Sequence, residues 1–236
     1  HPWLCMGIAL LLTMLYCALL AMAVEQVAYK PLRHSSRLSV LLSALGMSIF
    51  LQNGLMLTQG VYDKAYPTEL VSGLITFGGL QISVMQILIL STTALLLVAL
   101  NTLVFRTNIG KAMRATAQDK VMSSLVGINS GRIIALTFAI GAGLAAAAGI
   151  MVGFNYGSVR YDMGFVPGIK AFAAAVLGGI GNITGALVGG LIIGMVEVMA
   201  AAYIKGGSEY KDIILIAVLY FMPTGIMGEN VDDTRV

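Results

Sequence analysis

Residues 106–132, RTNIGKAMRATAQDKVMSSLVGINSGR, form the longest segment poor in large apolar residues in an otherwise greasy chain. The segment carries Arg106, Lys111, Arg114, Lys120 and Arg132 against one acid, Asp119. It separates two hydrophobic spans, Ser83 to Phe105 and Ile133 to Met151. Positively charged loops of this length stay on the cytoplasmic side of a membrane. The segment therefore sets the topology of everything around it.

The same segment reads as ordered. Asp119 is a good helix N-cap and Gly127 a good terminator just past the end, so Lys120 to Val126 should form a short helix. Upstream, Asn108 can cap a second helical piece that runs through Gln118. Met113, Ala117, Val121 and Leu125 recur at spacings of four and would share one face, with Lys111, Arg114 and Gln118 on another. A small helix with a greasy ridge and a basic flank suits docking to another protein. A solvated connector with an ordinary topogenic charge excess has the same composition.

The loops on either side agree with that topology. Trp3 to Val24 is long enough to cross a bilayer, and it lacks the basic start of a signal peptide. His1, rather than Met, lies two residues before this span, so the chain is expected to be truncated at its N-terminus. Glu25 to Arg37 holds Lys30, Arg33 and Arg37, with Pro31 as a breaker, and belongs inside. Ser39 to Leu57 is the second span. The loop from Thr58 to about Leu80, with Asp63, Lys64 and Glu69, has no basic excess and belongs outside. After Ile133 to Met151 comes an outer loop, Val152 to Lys170, with Tyr156, Arg160, Tyr161 and Asp162. Ala171 to Ile204 is too long and too glycine-rich for one span and is expected to break near Gly181 to Thr184. Lys205 to Asp212 would be an outer loop and Ile213 to Met222, ended by Pro223, a short apolar segment. The acidic tail Glu229 to Val236 is then inside.

Composition supports a polytopic membrane protein. Of 236 residues, 58% are hydrophobic and 11% charged, with a mean hydropathy of +0.90; soluble domains carry about 25% charged residues. The net charge of +3 is concentrated in two loops and reports orientation, not nucleic-acid binding. Cys5 and Cys17 both lie in the first span, which suits apolar thiols and not a disulfide framework or a metal site. With His1 and His34 as the only histidines, most metal and acid–base chemistry is removed, and no catalytic residue is expected.

GGIGNITG, residues 178–185, imitates a nucleotide loop and fails the test, because Thr184 stands where a third Gly is needed. No Walker-type Lys-Ser/Thr pair exists, so any ATP coupling must come from a partner. The small residues recur instead at spacings of four: Gly141, Ala145, Gly149 and Gly153, then Gly181, Gly185 and Gly189, then Gly190 with Gly194. Such stripes let helices approach closely. A broken helix lining a permeation path, including Asn182 and Thr184, is the functional alternative. Gln52 and Asn53 lie near the outer end of the second span, where amides either bond a neighbouring helix or line a path. Glu197 lies within a span, where a carboxylate is costly and must face a partner or water. It could line the path or lock helices together. A zwitterionic amino acid would need donors for its carboxylate and acceptors for its ammonium.

The run RATAQDKVMSSLVGIN, residues 114–129, resembles the cytoplasmic signature of ABC-importer permeases, loosely Glu-Ala-Ala, three residues, then Gly. The Gly falls on Gly127, and Val121, Met122 and Ser123 stand at the first three positions, so the acid is missing. More closely, VEQVAYKPLR, SALGMSIFLQN, RIIALTFAIGAGLAAAAGI, KAFAAAVLGGIGNITGALVGG, SEYKD and MPTGI resemble, in order, the H-type permease of branched-chain amino acid importers. That resemblance implies an all-α polytopic bundle of about six to seven transmembrane segments, one permease domain over 1–236 with a coupling loop at 106–132. It implies a bacterial inner-membrane location, contact with membrane lipid, and further spans before this N-terminus. It also implies a coupling helix that meets an ATPase through Lys111, Arg114, Asp119, Lys120, Val121, Met122, Ser123, Leu125 and Gly127. The implied partners are a second permease subunit, two ATP-binding subunits and an extracytoplasmic amino-acid-binding protein, with ATP and Mg on the ATPase and no cofactor on this chain. A urea or short-amide ABC permease shares the loop signature and is the nearest alternative. A secondary transporter would often carry paired ionisable groups in mid-membrane, and an embedded enzyme would need a cluster of His, Asp, Glu or Cys.

Overall fold

The computed structural model describes residues 2–32, 35, 37–66, 73–77, 80–179 and 181–203. Arg33, His34, Ser36 and Glu69 lie outside the described residues, and so do the expected outer loop Lys205–Asp212, the short apolar segment Ile213–Met222 and the tail Glu229–Val236. Five described helices are long and apolar enough to cross a membrane: Met6–Tyr29, Leu38–Gln59, Val84–Arg106, Ser130–Tyr156 and Ile183–Tyr203. The chain divides into two compact units, His1–Tyr161 and Asp162–Val236.

The first unit begins with α1 (Pro2–Val24), which continues into a π-helical turn, Glu25–Tyr29. Glu25 is buried there, and Tyr29 packs on Phe138 with ring centroids 5.0 Å apart. Next come α2 (Arg37–Gln59), the strand β1 (Lys64–Ala65) and a hairpin of β2 (Leu74–Phe77) with β3 (Leu80–Ser83). The loop expected from Thr58 to Leu80 thus contains paired strands. Its residues Ile75, Thr76, Phe77 and Ile82 are β-branched or aromatic, which suits a pleated ribbon.

Ser83 starts α3 (Val84–Arg106) with a capping box, its hydroxyl accepting from Met85 N while Gln86 accepts from Ser83 N. Two short helices follow, α4 (Asn108–Gln118) and α5 (Lys120–Leu125). The long α6 (Ser130–Tyr156) exceeds the expected span at both ends. Asn129 caps its start, accepting from Arg132 N at 3.2 Å, and Gly157 ends it in a left-handed conformation. β4 (Ser158–Val159) pairs antiparallel with β1.

The core of this unit lies where α6 meets α1 and α3. Met85, Met151 and Phe154 are buried together, with Met6, Leu10, Tyr66 and Ile150 packed around them. Tyr66 meets Phe154 edge-to-face at 4.8 Å. On α6 the inward face is Gly143, Ala147, Met151 and Phe154. Of the stripe expected to pack, Gly141 and Gly149 have nothing within 4 Å of where a Cβ would stand, whereas Gly153 is buried, its Cβ position 3.1 Å from Val159 and 3.7 Å from Tyr66. Two residues separate Gly141 from Gly143, about 200° around a helix, so the Gly141 and Gly149 part of the stripe points away from this unit's core.

The described residues of the second unit form a helical hairpin, α7 (Phe165–Gly178) and α8 (Ile183–Tyr203). Its core is Ala173, Ala174, Leu177 and Ile193. The break expected near Gly181 to Thr184 falls at residues 179–182.

Candidate functional site

The basic segment is built as an elbow and a capped helix. Thr107 breaks α3 from α4 with extended backbone, donates its hydroxyl to Leu103 O and accepts from Gly110 N at 3.1 Å. Thr107, one residue before the expected Asn108, is therefore the cap. Gly110 sits against the carbonyls of Leu103 and Val104, where any Cβ would overlap backbone. Arg114 reaches back from α4, donating to Val104 O at 2.6 Å with its guanidinium 5.2 Å from the Phe105 ring centroid. That carbonyl is among the last of α3, which lack intrahelical partners. Arg114 thus ties the elbow shut, a role that the reading of it as a docking charge did not include.

Asp119 is extended and caps α5, one carboxylate oxygen accepting from Val121 N at 2.7 Å and Met122 N at 3.1 Å. At the other end Gly127 adopts φ 87°, with Gly127 N bonded to Ser124 O and Ile128 N to Ser123 O. This double bond pattern around a left-handed glycine is a Schellman closure. Ser123 is buried, its hydroxyl donating to Lys120 O at 3.0 Å and lying 3.1 Å from Ser130 Oγ. Ser123, one of the expected ATPase contacts, therefore faces inward and anchors α5 to the start of α6.

The opposite face is bare. Val121 is 68% exposed, Met122 60%, Leu125 76% and Val126 82%. At 100° per residue these four cover an arc of about 140°. The ridge differs from the expected one, because the extended Asp119 interrupts the helix between Ala117 and Val121. Met113 and Ala117 instead line a cleft of 370 Å³ with Val104, Ile133 and Phe138. Lys111 and Lys120 are exposed beside the elbow and the ridge.

In the second unit the glycines do two jobs. Gly185 and Gly189 pack as expected: a Cβ on Gly185 would strike Gly178 O, and one on Gly189 would strike Ala174 O. Gly181 does not pack and makes the turn instead, with φ 96° and nothing near its Cβ position, next to Gly179 at φ 94°. Asn182 Oδ1 accepts from Thr184 Oγ1 at 2.7 Å and Gly185 N at 3.0 Å. Asn182 thus caps α8 and Thr184 braces that cap, using polar atoms expected to line a path. Gln52 is half-buried on α2, and Asn53 returns its amide to Ile49 O at 2.8 Å.

Glu197 has a partner that the sequence does not reveal. Lys170 Nζ, on α7, lies 2.6 and 2.7 Å from its two carboxylate oxygens. In the sequence Lys170 stands at the end of an expected outer loop. Its place in an apolar helix, FVPGIKAFAAAVLG, was the available signal. Among the described residues no group of three or more His, Cys, Asp or Glu side chains converges as a metal site.

The chain as a whole is similar to known transport proteins. The family model described as branched-chain amino acid transport system / permease component matches residues 1–223. A high-affinity branched-chain amino acid transport system permease protein of Pseudomonas aeruginosa is 51% identical over 215 residues, 87% of this chain and 69% of that protein. The Escherichia coli protein of the same description is 48% identical over the same lengths. A probable branched-chain amino acid transport permease of Methanocaldococcus jannaschii is 32% identical over 143 residues, 57% of this chain and 45% of that protein. No solved structure matches the chain.

Proposed function

This chain belongs to the branched-chain amino acid transport permease family, and from that premise we propose that it is the membrane-spanning subunit of an ATP-driven importer carrying leucine, isoleucine and valine across a bacterial inner membrane. It is a transport subunit and not itself an enzyme. Its partners are a second permease, two ATP-binding subunits and an extracytoplasmic amino-acid-binding protein, and its spans contact lipid. ATP and Mg²⁺ are held by the ATP-binding subunits, and this chain binds no cofactor and no nucleic acid.

The observation that carries the coupling mechanism is the bare apolar ridge of Val121, Met122, Leu125 and Val126 on a helix capped at both ends. Apolar surface of this kind gains by burial against a partner. Its caps hold it as one rigid piece, and Ser123 and the Arg114 elbow fasten it to α6 and α3. A push on the ridge therefore moves spans, not a floppy loop. Asp119, Lys120 and Gly127 shape the helix, and Lys111 and Lys120 border it with positive charge.

Gly127→Val tests this reading. The left-handed backbone costs a non-glycine residue about 1–2 kcal/mol, and the Gly127 Cβ position is open, so the strain is conformational and local. The variant should insert and pair with its permease partner. Pull-down of the ATP-binding subunit should weaken, and substrate-stimulated ATP hydrolysis and leucine uptake in vesicles should fall together. Unchanged pull-down and uptake would remove the coupling role and favour a transporter that works alone.

A further inference from the structure

Charge is distributed unevenly over the apolar helices. The first span carries Glu25 in the π-helical turn that closes it, and on α2, α3 and α6 the charged residues are Arg37, Arg106 and Arg132, each in a first or last turn. The exceptions are Lys170 on α7 and Glu197 on α8, and they meet. The lysine nitrogen is almost equidistant from both carboxylate oxygens, at 2.6 and 2.7 Å. The side chains are 25% and 31% exposed, so the pair is neither sealed in nor fully hydrated.

A lock alone is an expensive use of two charges. Desolvation offsets much of the attraction in such a pair, and apolar residues of similar size often hold helices as well or better. The α7–α8 hairpin is already held by close glycine packing, Gly178 on Gly185 and Gly189 on Ala174, and by the Ala173, Leu177 and Ile193 cluster. One acid and one base side by side on an apolar wall also match, with opposite sign, the ammonium and carboxylate of an α-amino acid.

We propose that Lys170 and Glu197 are a transient binding site for the amino-acid zwitterion on its way through the membrane. The proposal rests on the importer function given above and extends it to a substrate site. Glu197 receives the substrate ammonium and Lys170 its carboxylate, each charge exchanging one opposite partner for another. No isolated charge is left in the apolar setting before or after the exchange. Without substrate the two side chains satisfy each other. The long, flexible lysine stem is the part that moves aside. Gly194, one turn before Glu197 on α8, presents no side chain next to the acid, and none of the described residues crowds its Cβ position.

The test uses the complete importer reconstituted in vesicles. Lys170→Met with Glu197→Met removes both charges and leaves none unpaired, so a mere lock would survive it. The expected result is an assembled complex whose leucine uptake falls about thirtyfold or more, the loss typical of removing a desolvated charge contact. Uptake within about twofold of the parent would overturn the proposal; absence of leucine uptake by the parent itself would overturn the importer reading instead. A second measurement stands if the double variant does not assemble. Gly194→Cys, with Cys5 and Cys17 replaced, is labelled by a small thiol reagent in the complex that retains Lys170 and Glu197. Leucine should slow the labelling, whereas 4-methylpentanoate, which lacks the ammonium, and 3-methylbutylamine, which lacks the carboxylate, should not. Equal protection by all three, or by none, would overturn the proposal.

Discussion

Glycine at position 185 and glycine at position 149 look alike in the chain, and the fold treats them differently. A Cβ on Gly185 would collide with the backbone of Gly178, whereas one on Gly149 meets nothing. Gly185→Leu should therefore cost about 1–3 kcal/mol through overpacking. Gly149→Leu should leave the thermal stability of the isolated subunit in detergent within experimental error. Equal loss in both variants would mean that α6 packs through its Gly141–Gly149 face after all. Spacing alone marks both residues as small and periodic. It does not show which side of a helix is the inside, because that depends on where α1 lies. Lys170 was missed for a related reason: an ion pair between residues 27 apart needs the hairpin closed before the two charges are neighbours.

The elbow between α3 and α5 is where local sequence says most. Asp119 as a cap, Gly127 as a terminator and a helix ending within a residue of Val126 all follow from side chains acting on their own backbone. Asp119→Ala removes both accepted hydrogen bonds and should destabilise α5 by about 1 kcal/mol. Amide exchange at Val121 and Met122 should quicken by several fold, with the exchange of α6 unchanged. A uniform change across α5 and α6 would mean that the cap holds more than its own helix. Arg114 depends on more than its own neighbourhood. Its charge suggests a docking flank, but its partner is a carbonyl at the end of the preceding span, set by the angle at Thr107 and Gly110. That angle is a tertiary fact.

For the whole molecule, orientation is the property with the widest consequences. The basic segment should face the cytoplasm and the β1–β4 region the outside. Ser124 and Tyr62 are exposed reporters at these two places. With Cys5 and Cys17 replaced, Tyr62→Cys should react with an impermeant thiol reagent in intact cells and Ser124→Cys should react only after lysis. The reverse pattern would invert the topology and take the ridge away from any cytoplasmic ATPase. The all-α membrane class, the positions of the apolar spans, the break at residues 179–182 and the capped α5 were determined by the chain itself. Hydropathy, caps and glycine conformations act within a few residues and need no distant partner. Tertiary structure alone decided that α6 turns Gly143 and Ala147 inward, that Ser123 is hidden while Val126 is bare, and that Lys170 meets Glu197. Each of these depends on helix rotation and crossing, quantities that a periodic pattern leaves free until another helix is packed against it.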